Sequence, residues 1–266
     1  MIPTMEILEP LLLGILQGLT EFLPVSSSGH LVIAQWLLAA ELGGGIVFEV
    51  AVHVATMLAI LLFYRRRVGE LAIGAISASG DALRYIGKLF LGTVPAVAVA
   101  LLARDWIETQ FESPGVAGLC LLATGLIVWS TRYTLGRGES VEPTWTGAFL
   151  IGCAQAVAIL PGISRSGSTV GIALALGLSP LAAAEFSFLL GVIAIAGAGV
   201  LLIPELSGIT GSLLQAIGFG GASALVSGLF ALWLFVWFLR AQRFYLFAWY
   251  AWIAGAATLI GVSVAS

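Results

Sequence analysis

Charge is what this sequence has least of. Asp, Glu, Lys and Arg supply 9% of its 266 residues, where soluble domains carry roughly 25%. A water-facing surface cannot be built from so few charges, and hydrophobic residues reach 60%. The net charge of -3 gives no basic excess, so a nucleic-acid partner is excluded. Cysteine is nearly missing too: Cys120 and Cys153 both sit in apolar runs and read as small buried side chains. Met1 to Pro10 contains Glu6 and Glu9 but no basic residue, the wrong charge for a cleavable signal peptide. What remains is an all-α polytopic membrane protein whose lipid-facing surface needs no charge.

Against that background the stretch from Gly14 to His30, GILQGLTEFLPVSSSGH, stands out. It begins as an apolar helix with Gln17 and Glu21 one turn apart on the same face. It breaks at Pro24 and restarts through Ser26, Ser27, Ser28, Gly29 and His30, which puts hydroxyls and free backbone N–H groups at a helix mouth, a setting for an anion. An ionisable group at membrane depth is costly and points to function. The pattern recurs from Gly152 as GCAQAVAILPGISRSGS. Gly14 and Gln17 match Gly152 and Gln155, Leu23-Pro24 matches Leu160-Pro161, and Ser26 to Gly29 matches Ser164 to Gly167. The copies differ in chemistry: the first carries Glu21 and His30, the second gains Arg165.

Span lengths turn the repeat into an architecture. Leu8–Leu23 and Leu31–Ala40 are short of the ~20 residues a crossing needs, so a re-entrant hairpin over about 8–40 is expected, followed by spans Ile46–Tyr64, Leu89–Ala103 and Gly115–Thr131. Val68–Gly87 is expected as a surface connector and Arg104–Pro114 as an acidic loop. Residues 132–145 form a polar linker between a first repeat, 1–131, and a second, 146–266. The second repeat has a hairpin over about 146–178 and spans Leu181–Ile203, Gln215–Leu239 and Phe244–Val264. With Arg65, Arg66 and Arg67 inside, every Lys and Arg except Arg104 and Arg165 falls on the cytoplasmic side. The first hairpin then dips in from outside and the second from inside, an inverted-topology repeat whose broken segments meet near the midplane. Trp129, Trp145, Trp233, Trp237, Trp249 and Trp252 near span ends are expected as interface anchors.

The residues at that meeting point compose a phosphate chemistry. Arg165 and the two helix starts suit a phosphate or diphosphate, with Ser26, Ser28 and Gly29 of one copy and Ser164, Ser166 and Gly167 of the other as binding positions. Glu21 can hold a divalent ion, one of the serine hydroxyls can attack and His30 can carry the proton, the parts that phosphoryl transfer requires. Serines at a helix start commonly cap it, which accounts for one of the three. His53, inside a span and without such a setting, is expected in core packing. Glu49 and Glu185, near the starts of the spans after each hairpin, are expected either to pair with Arg165 or to bind a metal. In lipid, such a site suggests a lipid-linked phosphate.

QGLTEFLPVSSSGH and LPGISRSGS resemble the two signature stretches of the bacterial undecaprenyl-diphosphate phosphatases of the bacitracin-resistance type. The resemblance extends to Phe48–Val50, the triple arginine and Glu185–Leu190. It implies hydrolysis of undecaprenyl diphosphate to the monophosphate in the bacterial inner membrane, at the outer face, dependent on Mg2+ or Ca2+, recycling the carrier lipid for peptidoglycan. By the resemblance Gln17 and Glu21 stand in the metal-binding (Glu/Gln)-x-x-x-Glu motif, Ser27 and His30 are the functional serine and histidine, and Arg165 the phosphate-binding arginine. The partners implied are a polyprenyl diphosphate and membrane lipid, with a homodimer open. A lipid-phosphate flippase or anion transporter built on the same inverted repeat stays open, as does a paralogous phosphatase for another lipid diphosphate.

Overall fold

Proline and serine set the helix boundaries in both copies. The computed structural model describes residues 3–38, 45–201 and 211–265. Helix α1 (Pro3–Phe22) stops just before Pro24, whose ring disfavours helical backbone in the residue ahead of it. Ser26 takes a left-handed φ of 65°, and α2 (Ser27–Leu38) starts directly after it. In the second copy α8 (Trp145–Val157) gives way ahead of Pro161, Gly162 carries the positive φ, and α9 (Arg165–Ala175) follows a Ser164 cap. These helix–break–helix units stand where the two hairpins are expected; residues 39–44 lie outside the described residues.

Between them run α3 (Gly45–Phe63), α4 (Arg65–Ile76), α5 (Gly80–Leu102), α6 (Arg104–Phe111) and α7 (Pro114–Ser130). After α9 come α10 (Pro180–Leu201), α11 (Gly211–Arg240) and α12 (Phe247–Ala265). Among the described residues five helices are long and apolar enough to cross a membrane, six if α3 and α4 are one span bent by 82°. That bend falls at the triple arginine, which ends the apolar run of α3. Two expectations need correction. Residues 80–87 belong to α5 rather than to a connector, because Tyr85, Lys88 and Leu89 are buried as part of one continuous helix. The acidic loop is itself helical: Arg104 reaches Glu108 one turn on, an i,i+4 pair that suits a helix.

The two halves clasp each other. Helix α1 packs on α11 of the other half, and α8 packs on α5; α3 meets α10 and α7 meets α12. Hydrophobicity does not drive helices together in lipid, so small residues that let backbones approach do this work. A Cβ on Gly14 would run into the Gly220 carbonyl, and one on Gly152, its counterpart, would run into the backbone of Gly92. Gly14→Leu and Gly152→Leu are therefore each expected to lower the thermal midpoint of the purified protein by several degrees, about 2 kcal/mol or more of overpacking. Gly218→Leu, where no atom lies within 4 Å of a built Cβ, is the neutral control. Equal melting of all three would show that the crossings tolerate bulk.

An aromatic core fills the space below the breaks: Phe22, Phe188 and Phe235 are fully buried and meet edge to face. Trp129, Trp249 and Trp252 pack on one another, and Trp252 Nε1 donates to the Leu122 carbonyl, so these three also fasten α12 to α7.

Candidate active site

The two restarts are built alike. Ser26 Oγ accepts from Gly29 N at 3.3 Å and shares a hydrogen bond with Ser28 Oγ at 3.2 Å. Ser164 Oγ accepts from Gly167 N at 3.1 Å and shares one with Ser166 Oγ at 3.2 Å. Ser26 and Ser164 are thus the capping serines, each satisfying an N–H of the first turn. The next residue, the first of each helix, is Ser27 in one copy and Arg165 in the other. The breaks also touch directly: Gly162 N donates to Ser26 Oγ at 3.1 Å, and Ser166 Oγ donates to the Leu23 carbonyl at 3.4 Å. Thr124 of α7 holds the second break, accepting from Ser164 N and donating to the Gly162 carbonyl.

Both first residues converge on Glu21. Ser27 Oγ donates to Oε2 at 2.9 Å, Gln17 Nε2 donates to the same oxygen at 3.0 Å, and Arg165 Nη2 donates to Oε1 at 2.6 Å. The Glu21 side chain is 7% exposed and that of Arg165 19%. Breaking a buried pair by removing one partner costs about 3–5 kcal/mol, since the other charge is left alone. Arg165 in turn rests on α10, where a Cβ on Gly191 would strike its guanidinium. These groups face a cavity of about 190 Å³ lined also by Ser26, Ser28 and Ser164, with Phe111 of α6 at its edge. That is several times the roughly 30 Å³ of one water in the liquid.

The two histidines exchange the places expected of them. His30 does not line this cavity. Its Nδ1 donates to the Ser26 carbonyl at 2.8 Å, and its Nε2 lies 2.7 Å from the hydroxyl of Tyr250, whose ring stacks on it. His53, expected in core packing, lines the cavity instead. Its Nδ1 donates to the Glu49 carbonyl at 2.7 Å, which turns Nε2 toward Glu21 Oε2 at 3.7 Å. Its place mid-span hid it in the sequence; the available clue was the costly imidazole itself.

The acidic pair also divides. Glu49 lines a narrow cleft of about 30 Å³ beside Gln17, Ser27 and His53. Glu185 does not reach Arg165: it accepts from Arg67 Nε at 2.9 Å and from Tyr85 at 3.2 Å. Gln155, the counterpart of Gln17, is 3% exposed and sealed away, so of the two glutamines only Gln17 lines open space, in the narrow cleft.

Glu21, Glu49 and the Gln17 amide oxygen are hard donors of the kind Mg2+ and Ca2+ take. Among the described residues no three His, Cys, Asp or Glu side chains gather into a metal cage, and both Glu21 oxygens already accept hydrogen bonds. The set fits a cation held by one or two carboxylates together with ligand oxygens, not a closed protein cage.

The family model described as bacitracin resistance protein BacA matches residues 10–257. This chain belongs to that family. The match takes in both breaks, Glu21, His53 and Arg165. Among curated proteins, the undecaprenyl-diphosphatase of Desulfosudis oleivorans is 39% identical over 96% of this chain and 98% of its own length. That of Syntrophotalea carbinolica is 38% identical over 94% and 97%, and that of Desulforapulum autotrophicum 34% over 98% and 100%. The likeness thus runs nearly the whole length of this chain and of each relative.

Proposed function

We propose that this chain hydrolyses undecaprenyl diphosphate to undecaprenyl phosphate and inorganic phosphate, so returning the carrier lipid to peptidoglycan synthesis and conferring resistance to bacitracin. The observation that carries the reading is Glu21 holding a serine hydroxyl and a guanidinium at once, on its two oxygens, where two broken helices meet. An arriving diphosphate competes with Glu21 for Arg165, which engages it through a planar fork of donors. Glu21, released from that pair, is the base that takes the Ser27 proton across the existing 2.9 Å hydrogen bond. Ser27 Oγ then bonds to the terminal phosphorus, the bond from phosphorus to the bridging oxygen breaks, and the lipid monophosphate leaves. Water hydrolyses the phosphoserine, yielding inorganic phosphate and restoring the hydroxyl. The first-turn N–H groups of α2 and α9 bind the transferring phosphate's oxygens.

Glu21, Glu49 and the Gln17 amide oxygen would hold a divalent cation together with the substrate's phosphates, where it would neutralise part of their charge. Ser26, Ser28, Gly29, Ser164, Ser166 and Gly167 shape the phosphate seat. His53 Nε2, facing Glu21, carries protons between the site and water, and His30 braces the Ser26 turn. His53→Ala is accordingly expected to lower turnover about 10²-fold, within the usual range for a proton-transfer group, and to change the pH profile. His30→Ala should lower turnover less and leave the shape of that profile alone. The reverse order, measured on both variants, would return the proton to His30.

The chain is a multi-span membrane protein, and we place it in the inner membrane with the cavity open to the outer face. The reciprocal packing of α1 on α11 and of α8 on α5 supports an inverted-topology repeat with two re-entrant hairpins. An impermeant thiol probe, after replacement of Cys120 and Cys153, should label cysteine at Glu108 from outside and at Gly138 only from inside. Labelling of both from one side would overturn this topology. We carry a homodimer forward as the assembly, to be read from the native mass in detergent.

The test of function is phosphate release by the purified protein from prenyl diphosphates of several chain lengths, with and without EDTA. Release from undecaprenyl diphosphate that EDTA suppresses is expected. Movement of lipid phosphate between leaflets with no release would mark a transporter, and release confined to other lipid diphosphates a paralogous phosphatase.

A further inference from the structure

A cavity of about 850 Å³ lies apart from the one that holds Glu21. It lies at the bend between α3 and α4, where Arg65, Arg66 and Arg67 meet Arg240 at the end of α11. From His53 to Arg65 is about 18 Å along α3 at the helical rise of ~1.5 Å per residue, so the two cavities are separate.

Charge in this cavity is unbalanced in a particular way. Three glutamates line it, but each has a cation. Glu185 accepts from Arg67 Nε, Glu70 lies 3.5 Å from Arg67 Nη1, and Glu142 lies 3.1 Å from Lys88 Nζ. One arginine and one lysine thus take all three carboxylates. Arg65, Arg66 and Arg240 have no carboxylate within ion-pair distance among the described residues. The Tyr64 side chain makes no capping bond to the first turn of α4. Phe63, Leu181 and Val236 supply apolar wall in the same cavity. Arginines kept inside merely by membrane orientation need no cavity and no apolar wall; a headgroup with a hydrocarbon tail uses both.

We propose that this cavity binds the phosphate headgroup of an anionic membrane lipid, its phosphate on Arg65, Arg66 and Arg240 and the start of its tail against Phe63, Leu181 and Val236. Basic pockets between helices at the membrane boundary recognise phosphate headgroups in this manner, and the volume falls in the range of ligand sites, roughly 300–1,000 Å³. The site is independent of the reactive cavity: it holds none of Glu21, Ser27 or Arg165.

The test is native mass spectrometry of the full chain, released from detergent in the presence of phosphatidic acid, phosphatidylcholine or inorganic phosphate. Wild type is expected to hold phosphatidic acid at least tenfold more tightly than phosphatidylcholine. R66A/R240A should lose that preference, R66K/R240K should keep most of it, and Arg137→Ala, outside the cavity, should leave it intact. Arg66→Gln alone, at an exposed helix start, gives the same comparison if the double variant fails to fold. Phosphate release by these variants from a short-chain prenyl diphosphate should match wild type. Equal affinity for the two lipids, or a preference untouched by R66A/R240A, would overturn the proposal. So would complete displacement of phosphatidic acid by equimolar inorganic phosphate, since the cavity would then recognise free phosphate and not a lipid.

Discussion

Ser27→Ala is expected to lower phosphate release by on the order of 10³–10⁵-fold while binding of the lipid diphosphate changes less than about threefold. The substitution removes one oxygen. Arg165 and both helix starts, which supply the attraction for phosphate, are untouched, and Glu21 keeps its bond to Gln17. A group that acts only in the transition state leaves this signature, lost turnover with preserved affinity. Were water the attacking group, the serine would be one hydrogen-bond donor among several. Its loss would then cost about 1 kcal/mol, mostly in affinity. The two readings differ by orders of magnitude in turnover, and single-turnover kinetics with a separate binding measurement distinguishes them.

Arg165→Lys should fail nearly as badly as Arg165→Ala, with activity down by about 10²-fold or more in both. Lysine keeps the charge but presents a point, not a fork, and it cannot sit flat on Gly191 of α10 while reaching Glu21 Oε1. In the alanine variant a carboxylate with a 7% exposed side chain is left without its cation. Part of the loss should therefore appear as a lower thermal midpoint, and Glu21→Gln in the same chain should restore some of that stability without restoring activity. Turnover within about threefold of wild type in the lysine variant would show that a point charge suffices.

How much of this could be read from the chain alone follows from what each residue depends on. The helix breaks were legible because Pro24, Pro161 and the serine runs act locally, through backbone sterics and capping, whatever the partner helices do. The correspondence of Ser27 with Arg165 was legible for the same reason. That both end on Glu21 was not: the contact joins residues 144 apart, and depends on how the two breaks dock. His53 shows the limit most plainly. Its role comes from Glu21 lying opposite it across a helix interface, and nothing in the surrounding run of α3 signals that neighbour. Glu185 shows that equal places in a repeat need not meet equal partners, since it pairs with Arg67 and not with Arg165. Arg165 lands on α10 at Gly191, about 9 Å along the helix from Glu185. The bend after Phe63 meanwhile delivers Arg67 to Glu185 itself. Residues 80–87 were assigned to a connector since Asp81 and Arg84 dilute the apolar pattern, yet Tyr85 is buried, the next residue, Lys88, is buried against Glu142, and the helix runs through.

The most direct test of the central claim, that Glu21 readies Ser27 to take a phosphoryl group held by Arg165, is a rapid acid quench. Protein in excess is mixed with lipid diphosphate labelled in its terminal phosphate. Label should appear on wild-type protein before inorganic phosphate accumulates, map to Ser27, and be lacking in Ser27→Ala and Glu21→Gln. Free labelled phosphate formed at the full rate with no label on the protein at any time, or label retained in Ser27→Ala, would contradict it.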